Sequence, residues 1–169
     1  MKFSLAAIVT ALAVSAGVSA QSVDDALNQF LALADQIDRV QKSIEGYNGG
    51  VVLALPVANA IYRAHIAATT ARTSLTQLDT FTPADSERAL NAYNQIHPRL
   101  LSAMTAGRNK AQVFKDAGVG YVAQGMISNL YNEKSKFESA IRTKVDPEYF
   151  QEDMATAVDQ AFVETLQLF

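Results

Sequence analysis

Apolar side chains in this chain recur every three or four residues from Val23 to Phe169, and that period constrains the fold more than any other feature. A step near 3.6 gathers them on one face of a helix, and such a face has to be buried against other helices. No alternating β-branched run of useful length interrupts the pattern. The expected fold is all-α: an antiparallel bundle of about five amphipathic helices joined by short connections.

The punctuation marks off the helices. Ser22 with Asp25 resembles a capping box, and Val23, Leu27, Phe30, Ala34, Ile37 and Ile44 follow as the first stripe, widened by Leu31 and Val40. Glycines between Gly46 and Gly50 end it. Pro56 suits the first turn of a second helix, with Val57, Ile61, Ala64, Ala68, Ala71, Leu75 and Leu78 inward. Thr82, Pro83 and Asp85 form a cap, a first-turn proline and an acid for the third helix. Its stripe (Leu90, Tyr93, His97, Leu100, Met104, Ala111, Phe114) keeps one register through Pro98, which predicts a long helix kinked there. Gly118 and Gly120 separate it from a fourth helix carrying Ala123, Met126, Ile127, Leu130, Phe137 and Ile141. Asp146-Pro147-Glu148 repeats the cap arrangement ahead of a fifth helix carrying Phe150, Met154, Val158, Phe162, Leu166 and Phe169.

The first twenty residues read differently. Met1-Lys2 is a short positive head, Phe3 to Val14 an apolar run, and Val18-Ser19-Ala20 a small-residue cleavage site. Residues 1–20 are expected to be a signal peptide cut after Ala20, with 21–169 a single helical-bundle domain. The apolar run is too short for a span of about 20 residues. The expected product is secreted and extracellular, with no transmembrane anchor and no Ser/Thr/Pro-rich stalk. It has no cysteine, so core packing alone must hold it together.

Composition and spacing argue against several functions. The formal charge is −3, becoming one unit more negative when Lys2 is lost, and no basic cluster exists, so nucleic acid is not an expected partner. His65 and His97, the only imidazoles, stand on different helices without a nearby second ligand, so neither a metal site nor a cofactor is expected. There is no Gly-x-Ser-x-Gly elbow. The carboxylate pairs Asp24–Asp25 and Glu152–Asp153 sit in first turns, where acids serve the helix dipole. A non-enzymatic protein is expected.

The second helix carries the most informative face. Ala60, Ala64, Ala67, Ala68 and Ala71 would line a bundle whose other helices supply larger residues. Alanine there either lets helices approach closely or leaves an internal apolar space, and an acyl chain needs on the order of 300 Å³. Both readings stand at this level. The candidate apolar lining is Ile61, Ala64, Ala68, Ala71, Leu100, Met104, Met126, Ile127, Leu130 and Phe162, with Thr69, Thr73, Gln124 and Ser128 as candidates for a polar head group. Amphipathic helices whose faces open outward would instead adsorb at an oil or wax interface.

One resemblance covers essentially all of residues 21–169. Val113-Phe114-Lys115-Asp116-Ala117-Gly118, then Leu130, Ser135, Phe137 and Ala140, then Lys144-Val145-Asp146-Pro147, together with His97-Pro98-Arg99-Leu100-Leu101 upstream, resemble the fungal hydrophobic surface binding protein A family, also called cell-wall galactomannoproteins. The resemblance implies a helical bundle that associates with hydrophobic surfaces, recruits a secreted esterase to them and, in some members, holds a long-chain fatty acid between its helices. It also implies association with the cell wall, against which the missing Ser/Thr-rich tail argues. The leading expectation is a secreted binder of a fatty acid or other lipid. The alternative is a surface-active interaction protein that coats hydrophobic solids or the cell wall and docks an esterase.

Overall fold

The computed structural model describes residues 22–150 and 152–169, so the expected signal peptide lies outside the described residues. The helices are α1 (Val23–Glu45), α2 (Ala54–Thr76), α3 (Pro83–Asn94), α4 (Ile96–Asp116), α5 (Gly120–Arg142) and α6 (Glu152–Leu166). No strand occurs among the described residues. The fold class is the one the periodicity predicts.

Local chemistry explains most boundaries. Ser22 Oγ accepts from the Asp25 amide at 3.1 Å while the Asp25 carboxylate accepts from the Ser22 amide at 3.2 Å, a reciprocal cap that satisfies two orphan donors of α1. Thr82 does the same for the Asp85 amide at 3.2 Å, with Pro83 in the first turn of α3. Between α1 and α2 the chain turns through Gly49 and Gly50, both at positive φ (104° and 90°), a region that side chains disfavour.

The kink expected at Pro98 appears three residues earlier, as a break at Gln95 that divides the long third helix into α3 and α4. Proline has no amide hydrogen for the Asn94 carbonyl, and its ring crowds that carbonyl. Gln95 stays in the right-handed helical region (φ −74°, ψ −21°), so the helix bends without unwinding.

Two sequence expectations are corrected. Asp146-Pro147-Glu148 caps only a 3-10 turn, Pro147–Tyr149, through an Asp146 side chain that accepts from the Glu148 amide. Phe150 is then extended, its ring 5.9 Å from that of Tyr93 and 3.7 Å beneath the Arg142 guanidinium, and α6 starts afterwards. On α1, Leu31 is 44% exposed and Leu33 only 6%. The buried face widens along the row Ala26–Leu33–Val40, because α1 is held between α2 and α4.

These helices close a ring. α1 packs on α2 and α4, α2 on α5, and α6 fills the space between α4 and α5. Short connections make sequence neighbours antiparallel, so α1, α4 and α6 run one way and α2 and α5 the other. Arg99 at the start of α4 meets Asp35 in mid-α1, and Lys110 near its end donates to the Tyr47 carbonyl just beyond α1 at 2.7 Å. α4 and α6 pass close at Gly107, where a Cβ would just touch Thr165 Cγ2 at 3.4 Å.

The core has two parts. One gathers Phe30, Leu75, Tyr93, Phe137 and Phe162, with the rings of Phe30 and Phe137 edge to face at 5.0 Å. The other gathers Val57, Ile61, Ala64 and the stacked pair Tyr47–Phe114 at 4.4 Å. Leu33→Ala should lower the stability measured by urea unfolding by about 2–5 kcal/mol, whereas Leu31→Ala should change it by no more than about 0.5 kcal/mol.

Candidate functional site

Ala64 belongs to one part of the core and Ala68 to the other, and a cavity of about 50 Å³ lies at the seam between them. Small side chains on α2 leave this space because its neighbours, anchored by larger residues elsewhere, do not collapse onto it. Its wall takes Leu33, Ile37 and Val40 from α1, Tyr93 from α3 and Ile96, Leu100, Ala103 and Met104 from α4. α5 adds Leu130, Lys134, Phe137 and Glu138, and α6 adds Phe162. Left empty, such a void costs on the order of 1 kcal/mol at ~24 cal/mol per Å³.

The candidates from sequence divide accordingly. Ala64, Ala68, Leu100, Met104, Leu130 and Phe162 meet at the cavity. Ile61, Ala71 and Ile127 are buried in packed core away from it, and Met126 is half-buried against the Tyr47–Phe114 cluster. None of the four polar candidates reaches the wall. Thr73 donates to the Thr69 carbonyl of its own helix at 2.8 Å, and Gln124 donates to the Leu166 carbonyl at 3.2 Å, fastening α6 to α5. Ser128 is half-buried on α5.

The polar part of the wall comes from residues that the sequence reading did not select. Lys134 Nζ lies 2.7 Å from Glu138 Oε2, 2.6 Å from Asp159 Oδ1 and 3.4 Å from the Ala155 carbonyl. Tyr93 donates its hydroxyl to Glu138 Oε1. Lys134 and Glu138 are both buried, although as an i,i+4 pair they read as an ordinary surface ion pair. One signal could have found them: Leu130, Lys134, Phe137 and Ile141 fall at steps of four, three and four, which sets the lysine within the apolar stripe of α5.

His97, next to Pro98, is buried with its ring edge-on to Tyr93 at 4.2 Å. Neither ring nitrogen has a hydrogen-bond partner. Burial, and then the Lys134 charge, lower its pKa from 6.5 to about 4. Burial and the Glu138 carboxylate move the Tyr93 phenol the other way, well above its usual range, so it remains a donor. No group of His, Cys, Asp and Glu suited to a metal ion occurs among the described residues.

A second feature lies at the end of the bundle where α1 and α4 finish and α2 and α5 begin. Of eleven large exposed hydrophobic residues described, seven cluster here: Val51, Val52, Leu53, Leu55, Tyr121, Val122 and Leu168. Val52 is 75% and Tyr121 86% exposed, so this end differs from a surface with scattered apolar residues. The rings of Tyr47, Phe114 and Phe169 beneath hold the three segments together. No charged residue occurs from Gly46 to Tyr62 or from Ala117 to Asn132.

The neutral burial of His97 has a pH consequence. Unfolded, the imidazole takes up a proton near pH 6.5, whereas folded it does so only near pH 4. Its contribution to stability is therefore present above pH 6.5 and is lost as the pH falls towards about 4. Urea midpoints measured at pH 7.5 and 4.5 should fall further for the native chain than for His97→Leu, which has nothing to protonate there.

Comparison with known proteins places this geometry. Residues 20–143 match the model of the family described as hydrophobic surface binding protein A. The fold of AfMP4p, solved in complex with palmitic acid, superposes with a TM-score of 0.80 at 16% identity, covering 87% of this chain and 99% of that one. Ligand-binding domain 1 of the Penicillium marneffei MP1 protein, solved with arachidonic acids, gives 0.77 at 11% identity over 87% and 98% of the two chains. Domain 2 of that protein, also solved with arachidonic acids, gives 0.76 at 14% identity over 83% and 91%. No curated protein sequence matches significantly. With its family match spanning most of the sequence and a bundle built around an apolar seam, this chain belongs to the hydrophobic surface binding protein A family.

Proposed function

We propose that this protein is a secreted, non-enzymatic carrier that holds the chain of a fatty acid or a similar lipid between its helices, at the Ala64–Ala68 seam. The observation that carries the reading is the cavity itself, an almost wholly apolar space in the middle of a helical ring. Its support from outside is that three structures of the same fold, from two proteins, were solved with palmitic or arachidonic acids bound.

At about 50 Å³ the cavity is several times smaller than the ~300 Å³ an acyl chain requires. Binding therefore has to part the wall. The residues suited to yield are Leu100 and Leu130, which are only half-buried, and Met104, whose unbranched side chain adapts readily. The ligand then supplies apolar contact in place of the side chains it moves, and the void no longer weighs on the fold. Ala64→Phe with Ala68→Phe should lower the affinity for a fluorescent fatty acid at least tenfold. Circular dichroism and cooperative unfolding verify that the double variant is folded, and unchanged binding by that folded variant rejects the internal site.

A second reading, adsorption to hydrophobic surfaces, is favoured by the cluster of exposed apolar residues on the two uncharged segments at the apolar end. Its apolar residues are already exposed, so contact with wax or plastic would remove them from water at about 25 cal/mol per Å² without unfolding anything. Val52→Glu, Leu55→Glu and Tyr121→Glu together should abolish most of the adsorption to polystyrene beads and leave fatty-acid binding within about twofold, because none of the three lines the cavity.

A further inference from the structure

Five of the seven arginines are each held by a carboxylate. The other two, Arg39 and Arg63, have no ion-pair or hydrogen-bond partner among the described residues, and both line the outer groove between α1 and α2. Lys42, its ammonium likewise unpaired, joins them there, and no acid lines the groove. All three cations are exposed.

No neighbouring acid offsets them. The nearby acids of α1 stand on its α4 side, where Asp35 and Asp38 meet Arg99, and where Glu45 accepts from Gln41 at 2.7 Å. α2 has none, and no Asp or Glu occurs from Gly46 to Leu78. A chain of formal charge −3 therefore shows one positive face. Lys42 suits the negative end of the α1 dipole, being in its last turn. Arg39 and Arg63 answer no charge of the fold.

This face adjoins the exposed apolar end. Lys42 and Arg39 lie three and six residues before the finish of α1, and Arg63 nine residues after the start of α2. At 1.5 Å per residue the cations stand about 5, 9 and 14 Å behind the helix ends. Ahead of them are Val51, Val52, Leu53 and Leu55, each more than 60% exposed, and Leu55 precedes the Pro56 that lines the groove. A dissolved anion would use only the cations, and an apolar solid only the tip. A surface with apolar material beneath an anionic layer about 5–8 Å deep uses both.

We propose, resting on the adsorption reading above, that this end docks on lipid membranes bearing anionic head groups, with Val51–Leu55 and Tyr121 entering the acyl boundary and Arg39, Lys42 and Arg63 facing the head groups. Each cation near such a surface raises partitioning about fivefold, so three raise it roughly a hundredfold.

The test is co-sedimentation at pH 7 with vesicles of phosphatidylcholine alone or with about a third phosphatidylglycerol. The protein should partition at least tenfold more strongly onto the anionic vesicles at ~0.1 M salt. That advantage should collapse at ~1 M, where the screening length falls from about 10 Å to about 3 Å. Arg39→Gln, Lys42→Gln and Arg63→Gln together should remove the preference and leave adsorption to polystyrene unchanged. Since none of the three side chains holds a partner, folding should be unaffected, which circular dichroism verifies. Val52→Glu, Leu55→Glu and Tyr121→Glu together should abolish both kinds of binding.

Equal binding to the two vesicles, or a preference that survives the triple glutamine variant, overturns the membrane assignment while adsorption to polystyrene stands. Vesicle binding that survives the triple glutamate variant also overturns it, because the cations then capture anions without the tip. Failure of the native chain to adsorb to polystyrene overturns the adsorption reading itself.

Discussion

How near α2 can lie to α1 and α5 is decided at Ala60, Ala64, Ala68 and Ala71, and the remainder of the bundle takes its shape from that approach. Alanine brings backbones close and allows long uninterrupted helices, but it contributes little volume. Where aromatic residues face it, as Tyr47 and Phe114 do near Ala60 and Ala64, the space is filled. Against Ile37, Ala103 and Leu130 a void remains, even though Tyr93, Phe137 and Phe162 close its other sides. The cavity thus arises from an uneven supply of side-chain volume along one helix, in a chain that has no disulfide to offset the loss.

Most of the architecture was legible in the sequence because helical periodicity is a local property with a long reach. Thr82-Pro83-Asp85 and the Ser22–Asp25 box announce helix starts through chemistry complete within four residues. Legibility failed where a neighbour decided the outcome. Leu31 and Leu33 look alike in sequence, and only the placement of α4 beside α1 separates them. Asp146-Pro147 has every local mark of an α-helix start, yet the seat for Phe150 between Tyr93 and Arg142 delays the helix.

The site followed the same division. Its apolar half was recoverable from stripes, whereas its polar half was assigned to Thr69, Thr73, Gln124 and Ser128 because they border the apolar faces. The structure puts buried charges at the wall instead. Lys134 and Glu138 escaped notice because four-residue spacing of opposite charges nearly always describes a solvated face. Removing one partner from a buried pair of this kind typically costs about 3–5 kcal/mol, so the cluster fixes how α5 and α6 meet.

The exposed end built from Val51–Leu55, Tyr121, Val122 and Leu168 has a counterpart at the opposite pole, where Asp24, Arg88, Asp85, Lys144 and Glu152 crowd the starts of α1, α3 and α6 and the finish of α5. Wettability therefore changes along the long axis of the molecule. A molecule with one apolar end and one charged end has the layout of an amphiphile, and under the surface-adsorption reading proposed above it is the apolar end that meets the oil. The Val40 and Ala64 side of the cavity lies nearer the apolar end and the Glu138 side nearer the charged one, so the cavity runs along the same gradient.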